Sequence, residues 1–183
     1  MSKWIFEPAH TGAEFCVRHM MITDVCGRLP NIRGTLDFDF DNPQKIIVDV
    51  IMDATEIWTG DKDRDRHLKS AAFFDVKNYP SFIFQANEIE RIGANEFKLF
   101  GHLTIRGITR KIILTLISSG IWRTPQIKDE PDKGPTIRAG FKATTVINRH
   151  DYGVSWNEML DRGGMVVGNE VRITINAEVI KQE

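Results

Sequence analysis

Chemically versatile side chains are most concentrated in the segment 64–75, which reads RDRHLKSAAFFD. Arginine, aspartate, histidine and lysine occur together here, so this segment is the first place to look for chemistry. Neighbouring aspartates offset its basic residues, however, and it has neither a nucleophile motif nor a metal-ligand spacing. It therefore predicts a charged helix at the rim of the fold rather than a catalytic site.

The five histidines are scattered along the chain, at positions 10, 19, 67, 102 and 150. No two of them have the i, i+4 helical spacing found in the zinc proteases. A zinc site assembled from distant strands stays an alternative. The sequence predicts no metal site and no cofactor.

The two cysteines, Cys16 and Cys26, do not form the disulfide framework that small secreted proteins use. Cys16 lies close to Glu14 and His19 and could be a reactive thiol, but a buried structural cysteine is the preferred interpretation. The chain also lacks a glycine-flanked serine and a glycine-rich phosphate loop. The sequence therefore predicts no catalytic residue and a protein that is not an enzyme.

Composition restricts the class of partner and the compartment. The chain has 183 residues, enough for one domain over residues 1–183, and a formal net charge of −1. Such a charge attracts neither nucleic acid nor an anionic membrane, and the basic residues near aromatics are offset by acids. No signal peptide and no apolar run of about 18 residues is visible. We expect a cytoplasmic protein that binds no nucleic acid and does not insert stably into a membrane.

Alternating apolar and polar residues, the pattern of β-strands with one dry face, dominate the chain. Leu36, Phe38 and Phe40, for example, alternate with aspartates. The segments 46–52 and 112–117 are apolar on both faces, which suggests a covered outer surface and a homodimer. Strands are predicted at 3–7, 13–20, 33–41, 45–54, 81–92, 96–106, 109–120, 136–147 and 166–180.

Two segments interrupt this pattern. Between Thr59 and Asp75 a helix is predicted, with Thr59 or Asp61 as its N-cap and Arg66 and Lys69 towards its end, as the helix dipole favours. The proline-rich segment from Arg123 to Pro135 predicts a solvated loop, either a mobile flap or a variable hairpin insertion. Short turns elsewhere make neighbouring strands antiparallel. A meander of this length closes most readily into a barrel.

A barrel of about eight strands is either packed solid or holds one small ligand. The periodicity does not decide between these two alternatives. The functional alternative is an apolar tunnel with a few polar groups at its mouth.

Several motifs, in order along nearly the whole chain, give this sequence its resemblance to a known family. They include Pro8–Thr11, Phe15–His19, Val25–Gly27, Gly34–Asp39, Arg64–Leu68 with Phe73–Asp75, Tyr79–Pro80, Gly101–Thr109, Ile147–Gly153 and Val167–Val171. The chain resembles the YceI-like proteins, which are described as polyisoprenoid-binding or lipid-binding. The resemblance implies an all-β fold, an extended lipocalin-like antiparallel barrel of about eight strands with one or two short rim helices.

The resemblance also implies a function, the binding of a long amphiphilic lipid of the polyisoprenoid, quinone or fatty acyl type, as carrier, store or sensor. The apolar lining is then expected from Leu36, Phe38, Phe40, Phe82, Phe84, Leu99, Leu114, Leu116, Ile173 and Ile175. Rim and head-group contacts are expected from Arg64, Arg66, His67, Phe73, Phe74 and Arg149. For the three arginines a structural role, pinning loops through nearby acids, stays open and is preferred for Arg149.

Two other functions stay open. One is an enzyme, a hydrolase or isomerase, that acts on a lipid in the same cavity. The other is a solid-core homodimeric module associated with stress.

Overall fold

The computed structural model describes residues 1–40, 43, 45–126, 128–129 and 134–182. These residues form ten β-strands, one α-helix and three short 3₁₀ turns. The strands and the helix are β1 (Ser2–Phe6), β2 (Gly12–His19), β3 (Thr23–Leu29), β4 (Arg33–Phe38), β5 (Ile46–Asp53), α1 (Lys62–Lys69), β6 (Ser81–Arg91), β7 (Glu96–Ile105), β8 (Ile108–Arg123), β9 (Ile137–Asn148) and β10 (Val167–Lys181). The 3₁₀ turns are Pro8–His10, Ala54–Glu56 and Arg149–Tyr152.

Eight of the strands close into an antiparallel barrel in the order β1-β4-β5-β6-β7-β8-β9-β10, because β1 pairs with both β4 and β10. The first part of β10 instead pairs with β2, and β3 follows β2 at the edge. Next to β10, the barrel wall is therefore formed by β1 at one end of the barrel and by the β2–β3 hairpin at the other. The predicted lipocalin-like barrel with a rim helix is confirmed.

The strand register defines two ends. The turns β4–β5 and β6–β7 lie at one end, which we call the floor end, and α1 and the β7–β8 turn lie at the other, the helix end. Inward residues alternate with outward ones, as Leu99 and Leu103 do with Lys98 and His102 on β7. Gly101 allows the Phe84 ring to enter the interior, because a Cβ there would lie 2.5 Å from the Phe84 Cζ.

Five aromatic rings fill the floor end. Trp4 lies 5.2 Å from Phe40 between ring centroids, and Phe40 lies 4.9 Å from Phe38 and stacks on Phe141 at 5.7 Å. Phe97 packs edge-on against Phe38 at 6.5 Å. Edge-to-face and stacked rings attract each other beyond the burial of their area. The floor aromatics, Trp4, Phe38, Phe40, Phe97 and Phe141, therefore close this end.

Helix α1 is shorter than the sequence predicted. Asp61, one of the two predicted N-caps, accepts hydrogen bonds from the N–H groups of Asp63 and Arg64, both at 3.0 Å. Hydrogen bonding to Arg64 lowers the pKa of the Asp61 carboxyl, an effect that desolvation opposes. The helix ends at Lys69, and the extension to Asp75 is wrong, because Ser70 leaves the helical region with ψ 169°. Phe73 and Phe74 follow in turns rather than in the helix.

The predicted strand list omits β3, and the prediction for the cysteines is wrong. Cys16 on β2 lies opposite Cys26 on β3, and the two form a disulfide. Cys16 is therefore neither a reactive thiol nor an isolated buried cysteine, and Cys26 is exposed. Gly27 weakens the strand pattern of β3, yet it is needed because a Cβ there would lie 2.5 Å from the Phe15 ring.

Ion pairing fixes the β9–β10 wall near the floor end. Glu178 forms ion pairs with Arg138 and, at 3.1 Å, with His10. Burial tends to raise the pKa of the Glu178 carboxyl, but the hydrogen bonds from Arg138 and His10 outweigh it and lower the pKa. Strand β8 ends with Arg123 at the same end, and the predicted loop from Arg123 to Pro135 falls partly outside the described residues.

Candidate functional site

A cavity of about 580 Å³ occupies the barrel between the floor aromatics and the helix end. Eight of the ten side chains predicted to line an apolar tunnel line it: Leu36, Phe82, Phe84, Leu99, Leu114, Leu116, Ile173 and Ile175. Whether they contact a ligand stays a prediction. The volume lies within the range of small-molecule sites.

The prediction that Phe38 and Phe40 line this cavity is wrong. Both belong to the floor aromatics, and Phe141 stacks on Phe40 and separates it from the cavity. Phe38 does point inward, as the alternation indicates, and is buried. The error concerns depth along the barrel axis, which a period of two residues does not report.

Several residues that line the cavity were not predicted from the sequence. They come from the β2–β3 hairpin (Phe15, Val17, Val25, Leu29), from β5 (Ile46, Val48, Val50) and from β9 (Phe141, Ala143, Ile147). For β5 the run of apolar residues on both faces hid the alternation, although the exposed Ile47 and Ile51 lie between the buried ones. Trp156, which also lines the cavity, follows no strand pattern.

Most polar groups of the cavity lie at the helix end. Arg64, half-buried, donates from Nε to the Thr59 hydroxyl at 2.8 Å and from Nη2 to the Thr59 carbonyl at 3.0 Å. The Thr59 hydroxyl in turn donates to Asp65 at 2.6 Å. Among the described residues the Arg64 Nη1 has no hydrogen-bond partner. Arg64 therefore presents a held guanidinium edge to the cavity mouth.

Arg66 does not line the cavity, and its predicted place beside Arg64 at the mouth is wrong. Its side chain is 77% exposed and pairs with Asp63. Arg64 and His67 lie about one helical turn apart in α1, and both line the cavity. Arg66 faces away because successive helical residues are rotated by about 100°.

Arg149 is buried, and its guanidinium donates hydrogen bonds to four backbone carbonyls. It donates to the carbonyls of Val154 (2.7 Å), Gly168 (2.8 Å), Trp156 (2.9 Å) and Val167 (3.2 Å). Burial lowers the pKa of its guanidinium. Four of its five N–H groups are thus occupied in joining the 3₁₀ turn Arg149–Tyr152 to the start of β10. The preferred structural role agrees with this geometry, although Arg149 also touches the cavity.

Aromatic rings narrow the mouth. His67 packs edge-on against Phe73 (4.9 Å) and Trp156 (4.8 Å), and Phe74 lies 5.1 Å from Phe82. All of these line the cavity. The predicted rim residues His67, Phe73 and Phe74 are therefore brought together at the helix end.

The hydroxyl oxygen of Tyr152 is buried and has no hydrogen-bond partner, which holds for no other side chain among the described residues. Burial, helped by the charge of Asp151, raises the pKa of Tyr152 to about 12. The phenol is therefore neutral at physiological pH. Tyr152 is also one of the residues that line the cavity.

Among the described residues, no group of three or more His, Cys, Asp or Glu side chains could hold a metal ion. In the same part of the chain, no helix has the length and apolar character that a membrane crossing requires.

Proteins similar in sequence match this chain over nearly its whole length. A family model described as "YceI-like domain" matches residues 4–179. The UPF0312 protein of Staphylococcus epidermidis is 29% identical over 178 residues, 97% of each chain, and that of Staphylococcus aureus N315 is 28% identical over the same share.

Solved structures have the same barrel. The YCEI protein of Campylobacter jejuni has a TM-score of 0.69 and 25% identity, over 91% of this chain and 90% of that one. BcnA of Burkholderia cenocepacia has a TM-score of 0.77 at 19% identity, over 94% and 98%. A polyisoprenoid binding domain from Saccharophagus degradans has 0.70 at 10% identity and covers both chains fully. The last two show the fold alone. With the family model matching almost its full length, the chain belongs to the YceI-like domain family.

Proposed function

We propose that this protein binds one long amphiphilic lipid, of the polyisoprenoid, quinone or fatty acyl type, inside its barrel. The observation that carries the proposal is the cavity of about 580 Å³, which is lined mainly by apolar side chains, closed at the floor end and polar at the helix end. The Saccharophagus degradans barrel, named as a polyisoprenoid binding domain, is consistent with it.

The energetics favour such a ligand. Burying a methylene group gains about 0.8 kcal/mol, so a chain that fills the cavity offsets the cost of ordering it. At about 25 Å³ per packed carbon atom, the cavity holds roughly 20 carbons, the size of four isoprene units. A lipid of this size does not stay monomeric in water, which gives a protein carrier a purpose.

The polar end suits an anionic head group. The free edge of Arg64 and the ring of His67 lie at the mouth, and a guanidinium can bind phosphate through two hydrogen bonds. Arg149 has little left to offer, because its N–H groups are engaged with backbone carbonyls. We therefore assign the head-group contact to Arg64 first.

The cavity also bears on the alternatives. A solid-core stress-associated module would need no internal space of this size, so the cavity favours ligand binding. For a lipid-modifying enzyme, the candidate nucleophile Cys16 is engaged in the disulfide, and His19 remains at the cavity wall. We propose a binding protein rather than an enzyme.

Native mass spectrometry of the purified protein, mixed with prenyl and acyl lipids, tests the proposal. One bound lipid per chain is expected. Ala143→Phe, which places a ring in the cavity from β9, should abolish it, whereas Thr144→Phe, at the next and outward-facing position, should not. Circular dichroism checks that both variants fold. A wild-type protein that stays empty with every lipid would refute the proposal.

Two further properties stay predictions. Exposed Ile47, Ile51, Ile113 and Ile117 on the outer wall are consistent with a homodimer, and a light-scattering mass equal to one 20.9 kDa chain would contradict it. A cytoplasmic location is less well supported once the disulfide is considered, because disulfides are rare in the cytosol. Alkylation of the thiols in freshly lysed cells distinguishes the two redox states.

A further inference from the structure

An exposed group of large apolar side chains lies on two loops at the helix end. Met20, Met21 and Ile22 join β2 to β3, and Met159 and Met165 lie in the segment before β10. Ile22 is 79% exposed and Met159 76%, and the other three exceed 40%. We call these five residues the methionine patch. A contiguous exposed apolar area on a monomer commonly marks an interaction surface.

The two loops are in contact. The Met20 N–H donates to the Val166 carbonyl at 2.8 Å. Met21 lies against Gly164, where an added Cβ would approach the Met21 Cγ to 3.2 Å. Met159 and Met165 are directly opposite partners in an antiparallel bridge, so their side chains share one face. The patch is therefore one surface built from two segments.

The backbone of the β2–β3 turn gives no reason for methionine. The Ile22 N–H donates to the His19 carbonyl at 3.1 Å, and the two residues between them, Met20 and Met21, have φ values of 47° and 61°. Positive φ at both central residues is typical of a type I′ turn, in which Asn-Gly is the usual sequence. Two methionines accept strain here and expose apolar side chains. Strained, exposed positions of this kind are characteristic of functional sites.

The patch adjoins the cavity mouth. His19 precedes the turn, Val166 and Val167 follow the second loop, and all three line the cavity. A ligand entering at the helix end would pass next to the patch.

We propose that the methionine patch docks the protein on the surface of a lipid bilayer and places the cavity mouth against it. The choice of a bilayer rests on the proposed function, because a lipid of that class has to be collected from or delivered to a membrane. Methionine is flexible and polarisable and suits adaptable apolar surfaces. Apolar side chains of this kind can enter the boundary between head groups and acyl chains.

Charge contributes little to the docking. Next to the patch, Arg18 pairs with Asp24 at 3.3 Å, and Arg172 pairs with the same aspartate. The second loop carries Glu158 and Asp161 against Arg162, so it offers no surplus of positive charge. We therefore expect binding to neutral phosphatidylcholine vesicles, with weak dependence on salt.

Vesicle flotation tests the proposal with the variant Met20→Asn/Met21→Gly, which installs the usual turn sequence. Because the variant lacks two apolar side chains that enter the bilayer, its retention on phosphatidylcholine vesicles should fall at least tenfold. Its Tm should stay equal or rise. Trp122→Ser, which removes a 74% exposed side chain at the floor end, is the matched control and should not change retention.

A second assay separates this inference from the proposed function. Uptake of a prenyl lipid is measured from detergent solution and from vesicles, and the turn variant should be slower from vesicles alone. Vesicle retention without uptake from either source would refute lipid binding and leave docking intact. A wild-type protein that does not float with vesicles, or a turn variant that floats equally well, would overturn docking and point to a protein partner.

Discussion

Phe141 should set the longest lipid chain that the cavity accepts. Its ring lines the cavity at the floor end and stacks on Phe40 at 5.7 Å, beyond which Trp4 and Phe38 close the barrel. Phe141→Ala would remove the upper ring of this stack and leave the lower ones. The cavity should then extend towards Phe40 without opening to solvent.

The size of the effect follows from the volume removed. Phe→Ala removes about 100 Å³ of side chain, which adds about one sixth to the 580 Å³ cavity. At about 25 Å³ per carbon this is space for four carbons, close to one isoprene unit. At ~0.8 kcal/mol per CH₂ the longer lipid gains at most about 3 kcal/mol, or about a hundredfold in affinity. Because Phe141 is only half-buried, we expect a stability cost below the 3–5 kcal/mol typical of buried phenylalanine.

Competition binding with a series of prenyl alcohols of increasing length measures which chain length the cavity prefers. The wild-type optimum is expected near four isoprene units, and the Phe141→Ala optimum one unit higher. Phe100→Ala is the matched control, because Phe100 lies on the outer side of β7 and does not line the cavity. If Phe141→Ala folds and binds but keeps the wild-type optimum, the floor aromatics do not limit chain length.

The remaining predictions concern stability. Arg149→Met should cost about 3 kcal/mol of unfolding free energy, because one buried and three partly buried backbone carbonyls each lose a hydrogen-bond donor. A loss below about 1 kcal/mol in urea titration would contradict this. Reduction of the disulfide, or the double variant Cys16→Ser/Cys26→Ser, should lower the free energy of unfolding by about 2–3 kcal/mol, because the bond closes a loop between residues 10 positions apart. A melting curve that reductant leaves unchanged would show that the bond is absent. Since the folded pKa of Glu178 is lowered, its ion pairs stabilise the fold above pH 4.5 and lose this effect as the pH falls through the lowered pKa. Glu178→Gln should therefore be less stable than wild type at pH 7 and equal to it in acid, and a difference that persists in acid would contradict this. Tyr152→Phe should be neutral or stabilising by up to about 1 kcal/mol, because it removes a buried hydroxyl without a partner; a clear loss of stability would reveal a hidden partner.

Much of the barrel could be predicted because a strand records its two environments in alternate residues. Leu36 and Phe38 were assigned to the inner face from this alternation, and both are buried. The strand β3 was missed because Gly27 and the polar residues around it dilute the pattern. Its glycine reflects the close approach of Phe15, a contact between two strands that one strand's sequence does not report.

The candidate site could be predicted only in part. Arg64, Arg66 and Arg149 are equally basic in the sequence, yet Arg64 borders the mouth, Arg66 faces solvent and Arg149 is bonded to four carbonyls. Their roles depend on helix rotation and on backbone groups distant in the chain. The disulfide was likewise not predicted, because the pairing of β2 with β3 brings Cys16 opposite Cys26.

The family, the antiparallel strands and the face on which most apolar side chains lie follow from the order of the residues alone, since these features depend on local order and on a period of two residues. The assembled barrel sets how deep each residue lies along the barrel axis. It places the aromatic floor beneath the cavity and a surplus of apolar side chains beside the mouth. Closure of the barrel determines the stagger between strands, and stagger is a relation between segments that no single segment encodes.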